Sequence, residues 1–534
     1  MATSCPKLFL LLLLLTIFFS HTLAVNSSNA SKTLHANLSS LKSLCRTIPY
    51  PDVCFNSSKL SISININPNI ISTILQSLQV AISEATKLSD LFNSAGPSNI
   101  IENKRGAVQD CRELQQSTLA SLKRSLSGIR SQTTRKLVDA RTYLSASLTN
   151  KATCLESLDS ASGTLKPVLV NSVINSYKHV SDSLSMLPQP VMKASNGNKN
   201  RRLMSASTWF SRKNHRLLQS NSGVLVVAAD GTGNFSTITE AINFAPNNSF
   251  DKTVIYVKEG TYEENVEIPS YKTNIVLLGD GRDVTVITGS RSVGDGWTTF
   301  RSATLAVSGE GFLARDIAFE NKAGPEKHQA VALRVNADFT AFYRCAMYGY
   351  QDTLYVHSFR QFYRECEIYG TIDFIFGNAA VVLQSCNIVS RMPLPGQFTV
   401  ITAQSRDSPD EDTGISIQNC SILATTDLYS NSGSVKSYLG RPWKVYSRTV
   451  YLESYIDVFI DPMGWTKWSD DQGLDTLYYG EYENYGPASG TDNRVKWLGY
   501  HLMDYSSAYN FSVSEFIIGD AWLGSTSFPY DNGI

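Results

Sequence analysis

Two hydrophobic rhythms divide the chain. Over residues 35–190 apolar side chains recur at three- and four-residue spacing, as in Ile74, Leu75, Leu78, Val80 and Ala81. Ser, Leu, Ala, Lys and Asn dominate there and glycine is scarce, which predicts amphipathic helices packed as a bundle. From Val224 onward the pattern turns to short β-runs: Val254–Val257, Ile275–Leu278, Val284–Ile287 and Val381–Leu383, each bounded by Gly, Asp or Asn. Several of these runs are continuously apolar, as strands buried on both faces are, and no long helices separate them. That argues against a Rossmann or barrel plan. Between the two regions, residues 191–218 are rich in Asn, Ser and Lys and carry Arg201-Arg202-Leu203-Met204 and Arg216-Leu217-Leu218. Such an exposed basic linker is a natural site for a processing protease.

A short repeat refines the β-region. Phe342-Tyr343-Arg344-Cys345 leads into Tyr348-Gly349-Tyr350-Gln351-Asp352, and Phe362-Tyr363-Arg364-Glu365-Cys366 leads into Tyr369-Gly370-Thr371-Ile372-Asp373. Units of this length, rich in Val, Ile, Phe and Tyr, are the signature of a parallel β-helix. Coils stack about 4.8 Å apart, so equivalent side chains on neighbouring coils touch. Asp352 and Asp373 are equivalent by the repeat. Two carboxyls so placed cannot both ionise easily, and one should keep its proton while the other stays anionic. Cys345, Cys366 and Cys386 follow at matching intervals. Adjacent coils meet the Cα separation of a disulfide, about 4.4–6.8 Å, for Cys345–Cys366 and Cys366–Cys386 alike.

At the N-terminus Lys7 precedes an apolar run from Leu8 to Phe19 and small residues near Ala24. This predicts a secretory signal over residues 1–24, with a run too short for a comfortable membrane span. Sequons at Asn37, Asn56, Asn234, Asn247, Asn419 and Asn510 fit that route. With Cys5 lost, eight cysteines enter an oxidising compartment. Cys45–Cys54 is expected to staple an N-terminal hairpin and Cys111–Cys154 to tie two helices. Formal charge sums to zero, yet splits into about +15 for residues 1–218 and about −15 for 219–534, which is compatible with docking of one part on the other.

Candidate chemistry is narrow. Asp230-Gly-Thr-Gly-Asn234 lacks the third glycine of a dinucleotide loop, no G-x-S-x-G elbow occurs, and the few histidines show no zinc spacing. What remains is Gln329, Gln351, Asp352, Asp373, Arg441 and Trp443, a polar and aromatic set on an apolar scaffold. An arginine beside a carboxylate pair can hold one member ionised.

These residues lie in five blocks: Gly260-Thr-Tyr-Glu-Glu264, Gln329–Arg334, Tyr348-Gly-Tyr-Gln-Asp-Thr-Leu-Tyr355, Gly370-Thr-Ile-Asp-Phe-Ile-Phe-Gly-Asn-Ala379 and Leu439-Gly-Arg-Pro-Trp443. Together, and in this order, they resemble the plant pectin methylesterases over residues 219–534. Residues 25–190 resemble the pectin methylesterase inhibitor domain, most clearly in Leu144-Ser-Ala-Ser-Leu-Thr-Asn-Lys-Ala-Thr-Cys154. The whole is similar to the plant pro-enzyme type, in which dibasic motifs separate the two. Ser405 stands where the family usually has Gly, and His215-Arg216 replaces the usual basic pair.

The resemblance implies a C-terminal right-handed parallel β-helix preceded by an all-α four-helix bundle. It implies that Asp373 is the nucleophile, Asp352 the proton donor and acceptor, Gln329 and Gln351 the oxyanion donors, and that Arg441 orients Asp373. Thr299, Gln329, Arg441 and Trp443 would contact substrate. The family pairing implies a Cys366–Cys386 bridge. No metal or cofactor is called for. Methylesterified homogalacturonan is the expected substrate, with inhibitor proteins, the chain's own pro-region and a linker protease as further partners. No nucleic acid partner, and no membrane once the signal is removed, is expected of a protein of the cell wall. Two rivals stand beside this reading. One is a glycosidase built on paired carboxylates about 5 Å apart; the other is a binding protein whose helical part is the active product.

Overall fold

A computed structural model describes residues 39–55, 70–94, 100–189, 203–204 and 223–534. The signal segment, Asn37, Asn56 and nearly all of the 191–218 linker lie outside the described residues. Among the described residues no helix is long and apolar enough to cross a membrane.

The bundle comprises α1 (Ile70–Ser94), α2 (Ala107–Ser131), α3 (Thr134–Asp159) and α4 (Lys166–Met186). Ile74, Leu78 and Ala81 of the predicted stripe are buried against α2 and α4, with Ala85 and Leu88 continuing the same face of α1, while Leu75 and Val80 are half-buried. Pro167, in the first turn of α4, stands where its missing N–H costs nothing. Cys111–Cys154 ties α2 to α3, and Cys45–Cys54 links the two short helical segments over 39–45 and 51–55. Both bridges are those the spacing predicts.

Residues 225–502 wind into a right-handed β-helix of three parallel sheets, with eleven, seven and eight strands. Each central coil places one strand in each sheet and pairs with the coils before and after it, while the end coils have strands in the eleven-stranded sheet without counterparts in both smaller ones. The repeat seen in the sequence is this register: Phe342 lies beside Tyr363, and Tyr348 beside Tyr369. Between the eleven- and eight-stranded sheets six successive coils turn on one residue with positive φ. Asp316, Arg344, Glu365, Ser385, Asn419 and Glu453 fill that place in successive coils. None is β-branched, as the left-handed region demands. The residue after four of these turns points inward, and it is a cysteine. The interior is filled by in-register columns such as Ala314, Phe342, Tyr363 and Leu383, with the rings of Phe342 and Tyr363 stacked 4.7 Å apart at 5°.

The cysteines depart from expectation. Cys366 and Cys386 are free thiols, as are Cys345 and Cys420. The register runs all four into one buried column. Instead of bonding to each other, the sulfurs lie against backbone carbonyls: Cys366 Sγ on Arg364 O at 3.4 Å, Cys386 Sγ on Gln384 O at 3.5 Å and Cys420 Sγ on Gln418 O at 3.4 Å.

Helix α5 (Ile238–Phe244), capped by the Thr237 hydroxyl, closes the N-terminal end of the coils. The C-terminal segment crosses the outside of the eleven-stranded sheet, where Trp522, Phe528 and Tyr530 bury against Phe362 and Val382. Leu203–Met204, from the linker, pairs antiparallel with Tyr530–Asp531. The main β-helix core runs from Val227 to Val495 without a residue of the bundle, while the bundle core extends onto Phe300, Val331, Tyr355 and Phe376 of the β-helix. Phe342→Ala removes a fully buried ring from the middle of a column and is expected to cost about 3–5 kcal/mol. Chemical denaturation monitored by tryptophan fluorescence checks this.

Candidate active site

The seven-stranded sheet carries a cleft of about 350 Å³. All seven candidate residues line it: Thr299, Gln329, Gln351, Asp352, Asp373, Arg441 and Trp443. They come from five separate regions of sequence, and the coil register brings them to one face. Leu354 pairs with Ile375, which sets Asp352 beside Asp373 on consecutive coils. Asp352 N donates to Ile372 O at 3.1 Å, fixing the first backbone to the second.

Both aspartates have positive φ, 65° for Asp352 and 53° for Asp373. This is strained for any residue with a Cβ and is held by the packing around it. Gly370 shows how tight that packing is, since a Cβ there would lie 2.2 Å from Phe374 Cβ. Arg441 grips Asp373 with both arms, Nε donating to Oδ1 at 2.8 Å and Nη2 to Oδ2 at 2.6 Å. Its own backbone N–H donates to Thr402 O at 2.9 Å. The guanidinium lies over the Trp468 ring, 4.3 Å from its centre.

Electrostatics separate the two carboxyls. Burial, then the charge of Asp373, drives Asp352 well above the ordinary carboxylate range, against a smaller downward pull from Arg441. Burial also raises Asp373, but there the bidentate bond and charge of Arg441 oppose it. Asp373 therefore ionises first and Asp352 keeps its proton. Neither side-chain amide of Gln329 and Gln351 hydrogen-bonds to another described residue, so both are free to donate into the cleft. The arrangement supplies an oriented anion, a carboxylic acid beside it and neutral N–H donors. It suits attack on a carbonyl with proton delivery to the leaving group.

The cleft also contains residues that reading the sequence did not single out. Tyr355 stacks on Phe376 at 4.2 Å, Phe376 faces Trp443 at 6.1 Å, and Trp443 stacks on Trp468 at 6.2 Å. This aromatic floor suits the apolar faces of sugar rings. Tyr355 and Phe376 sit in the quoted blocks as every-other-residue partners of core positions, a signal that resembles ordinary strand packing. Trp468 lies in a loop without periodicity.

One wall belongs to the bundle. Thr153, Glu156 and Ser157 of α3 face the cavity, and Glu156 pairs with Lys444 at 2.9 Å. Around the rim Arg360 pairs with Asp139, Arg141 with Asp412, and Arg301 with Asp110 and Glu113. Thr153 Oγ1 lies 2.9 Å from Nε2 of the buried His357. Phe300, Tyr355 and Phe376 of the cleft share a buried cluster with the bundle core. These contacts mostly run against the net charges of the two halves: the β-helix supplies cations to bundle carboxylates, and the Arg141–Asp412 pair follows the net asymmetry.

Comparison with known proteins agrees with both halves. Residues 224–520 match the family model described as pectinesterase, and residues 39–186 match that described as plant invertase/pectin methylesterase inhibitor. A probable pectinesterase/pectinesterase inhibitor of Arabidopsis thaliana is 64% identical, with 98% of each chain covered. Pectinesterase 2 of Citrus sinensis is 45% identical over 92% of this chain and 95% of its own. Among solved structures, pectin methylesterase from carrot is 53% identical with a TM-score of 0.58, covering 58% of this chain and 98% of its own.

Arg441→Gln should raise the pKa of Asp373, because the opposition to burial disappears. A carboxyl NMR titration in which Asp373 did not move upward would contradict this account of the pair.

Proposed function

The chain belongs to the pectinesterase family, carboxylic ester hydrolases, and from that premise we propose that it removes methyl esters from homogalacturonan through an aspartyl nucleophile. Asp373, ionised and aimed by Arg441, attacks the C6 carbonyl of a methylated galacturonate. The amides of Gln329 and Gln351 receive the oxyanion, a role typically worth about 3–4 kcal/mol in the transition state. Asp352 gives its proton to the departing methoxide, and methanol leaves. The remaining acyl-enzyme is a mixed anhydride on Asp373. Asp352, now anionic, takes a proton from water, which attacks the galacturonyl carbonyl, frees the carboxylate and restores Asp373. Trp443 and Thr299 hold the sugar chain across the site. The observation that carries this reading is the in-register pair of buried aspartates with a two-armed arginine on one member only.

The same geometry gives the pH dependence its sign. Turnover needs Asp373 ionised and Asp352 protonated. Activity falls on the acid side as Asp373 takes a proton, and on the alkaline side as Asp352 loses the one that burial and its neighbour hold there.

We further propose that the bundle keeps the enzyme silent until the linker is cut. Its α3 stands where a polysaccharide would lie, and its rim contacts are hydrogen-bonded ion pairs that a cut and separation could release. The N-terminal segment is read as a secretory signal, which would deliver the protein to the cell wall.

Asp373→Asn is expected to lower methanol release from highly methylesterified pectin by about three orders of magnitude or more, with circular dichroism unchanged. Asp352→Asn should cost about 10²–10⁴-fold. Methanol release by the 219–534 fragment, set beside the chain from residue 25, tests the bundle's role: activity in the fragment alone is expected, and equal activity in both would remove inhibition in cis. Shortening of the polymer in place of methanol release would favour the glycosidase reading.

A further inference from the structure

A second concave region follows the seam between the bundle and the β-helix. Two cavities there, of about 440 and 210 Å³, share Arg124, Asn248 and Glu310 and so adjoin. None of the residues around them lines the cleft on the seven-stranded sheet. One wall is α2, through Gln116, Ser117, Ser121 and Arg124. Arg124 pairs with Glu310 of the β-helix across the seam. The other wall is the loop that follows α5, with Asn248, Ser249 and Phe250, backed by Tyr271, Thr273 and Asn274. Amides, hydroxyls and aromatic rings are the groups that hold a sugar.

Two groups in this seam lack the partner their surroundings call for. Phe250 is 99% exposed, and Tyr271 beside it is 47% exposed. The loop that carries Phe250 is nevertheless firmly held. Asn248 N donates to Tyr271 O at 2.6 Å, and Ser249 O accepts from Thr273 Oγ1 at 2.7 Å and Asn274 Nδ2 at 2.9 Å. A ring fixed in water at the mouth of a groove is a contact surface. Deeper in the seam Asn336 is buried, and its Nδ2 donates to no acceptor. A buried donor left unpaired is costly and calls for an acceptor that the polypeptide does not supply.

Asn247 brings such an occupant within reach. It opens the sequon Asn247-Asn248-Ser249, it is exposed, and its side chain hydrogen-bonds to no described residue. The three residues after it line the groove. The other sequons within the described residues are placed differently. Asn419 Nδ2 donates to Ser385 Oγ at 3.2 Å, Asn234 Oδ1 accepts from Val226 N at 3.0 Å, and Asn510 borders neither cavity.

We propose that Asn247 carries an N-linked glycan whose first N-acetylglucosamine units lie in this groove, against Phe250, and join the β-helix to α2. In that modification Asn247 Nδ2 gives up one proton and bonds to the anomeric carbon of the sugar. The bond from that carbon to a lipid pyrophosphate breaks, and the pyrophosphate leaves with the electron pair. The apolar face of the sugar covers Phe250, and its acetamido and hydroxyl oxygens accept from Asn336 and from the side chains of α2. Tethering at Asn247 makes the contact intramolecular, so weak individual bonds suffice. The glycan thereby adds an interdomain contact separate from the ion pairs at the rim of the cleft. It requires the secretory route and is independent of the esterase reading.

The test uses the whole chain secreted by plant cells. Mass spectrometry of the peptide containing Asn247 is expected to show an N-glycan. Amide hydrogen exchange in α2 is expected to be about fivefold faster or more in Asn247→Gln than in the wild type. Phe250→Ala should give a similar rise in the glycosylated protein and none in the Asn247→Gln background, which separates a seated glycan from general hydration by sugar. Should Asn247→Gln not be secreted, peptide N-glycosidase removes the glycan from the folded wild type and the same exchange is read. An unmodified Asn247, α2 exchange unchanged on loss of the glycan, or a Phe250→Ala effect that persists without the glycan overturns the proposal. A glycan at Asn510 with none at Asn247 would do so while leaving the secretory reading intact.

Discussion

In-register stacking of parallel coils is the constraint on which the rest of this molecule depends. Backbone hydrogen bonds fix each strand to its equivalents one coil away, and so every inward or outward side chain meets its own counterpart. Inside, that makes columns of like residues, with Phe342 flat on Tyr363. Outside, on the seven-stranded sheet, it sets one buried carboxyl against another. A bundle or an open sheet could hold two aspartates close only by detailed packing. Here the repeat does so once Asp recurs at the same place.

Identity of residue type is then broken by a third group. Arg441 reaches Asp373 with two bonds and Asp352 with none, and the pair separates into an ion and an acid. The aromatic floor of Tyr355, Phe376, Trp443 and Trp468 keeps water from dulling this difference, since charges interact more strongly where the medium is apolar. Strain at both aspartates is carried by the coils above and below.

The interface with the bundle follows the same logic at larger scale. The face that would bind a polysaccharide is polar, aromatic and cationic, and the bundle presents carboxylates and small hydroxyls to it. Glu156 meets Lys444, Asp139 meets Arg360, and Glu113 lies between Arg301 and Arg334. Each partner alone is a buried or half-buried charge in search of its opposite. The closed chain satisfies these charges internally.

Much of this was legible in the sequence because its physical causes are local or periodic. Spacing of three and four marks α1, and a repeat marks consecutive coils. The repeat identified Asp352 and Asp373 as neighbours, and the bundle disulfides followed from the spacing of Cys45, Cys54, Cys111 and Cys154. Where the cause was long-range, the sequence was silent or misleading. The spacing that stacks Cys366 on Cys386 allows a bond and equally allows a column of thiols against carbonyls; the register together with the direction of each sulfur decided between them. Trp468 has no periodic neighbour to mark it, and its place over Arg441 depends on how a loop returns to the cleft. Arg301 and Arg334 look like ordinary surface charges until the helix that covers them is in place. Repetition and composition determine what each coil contains and which residues stack; only the folded chain decides which charges are left to face one another.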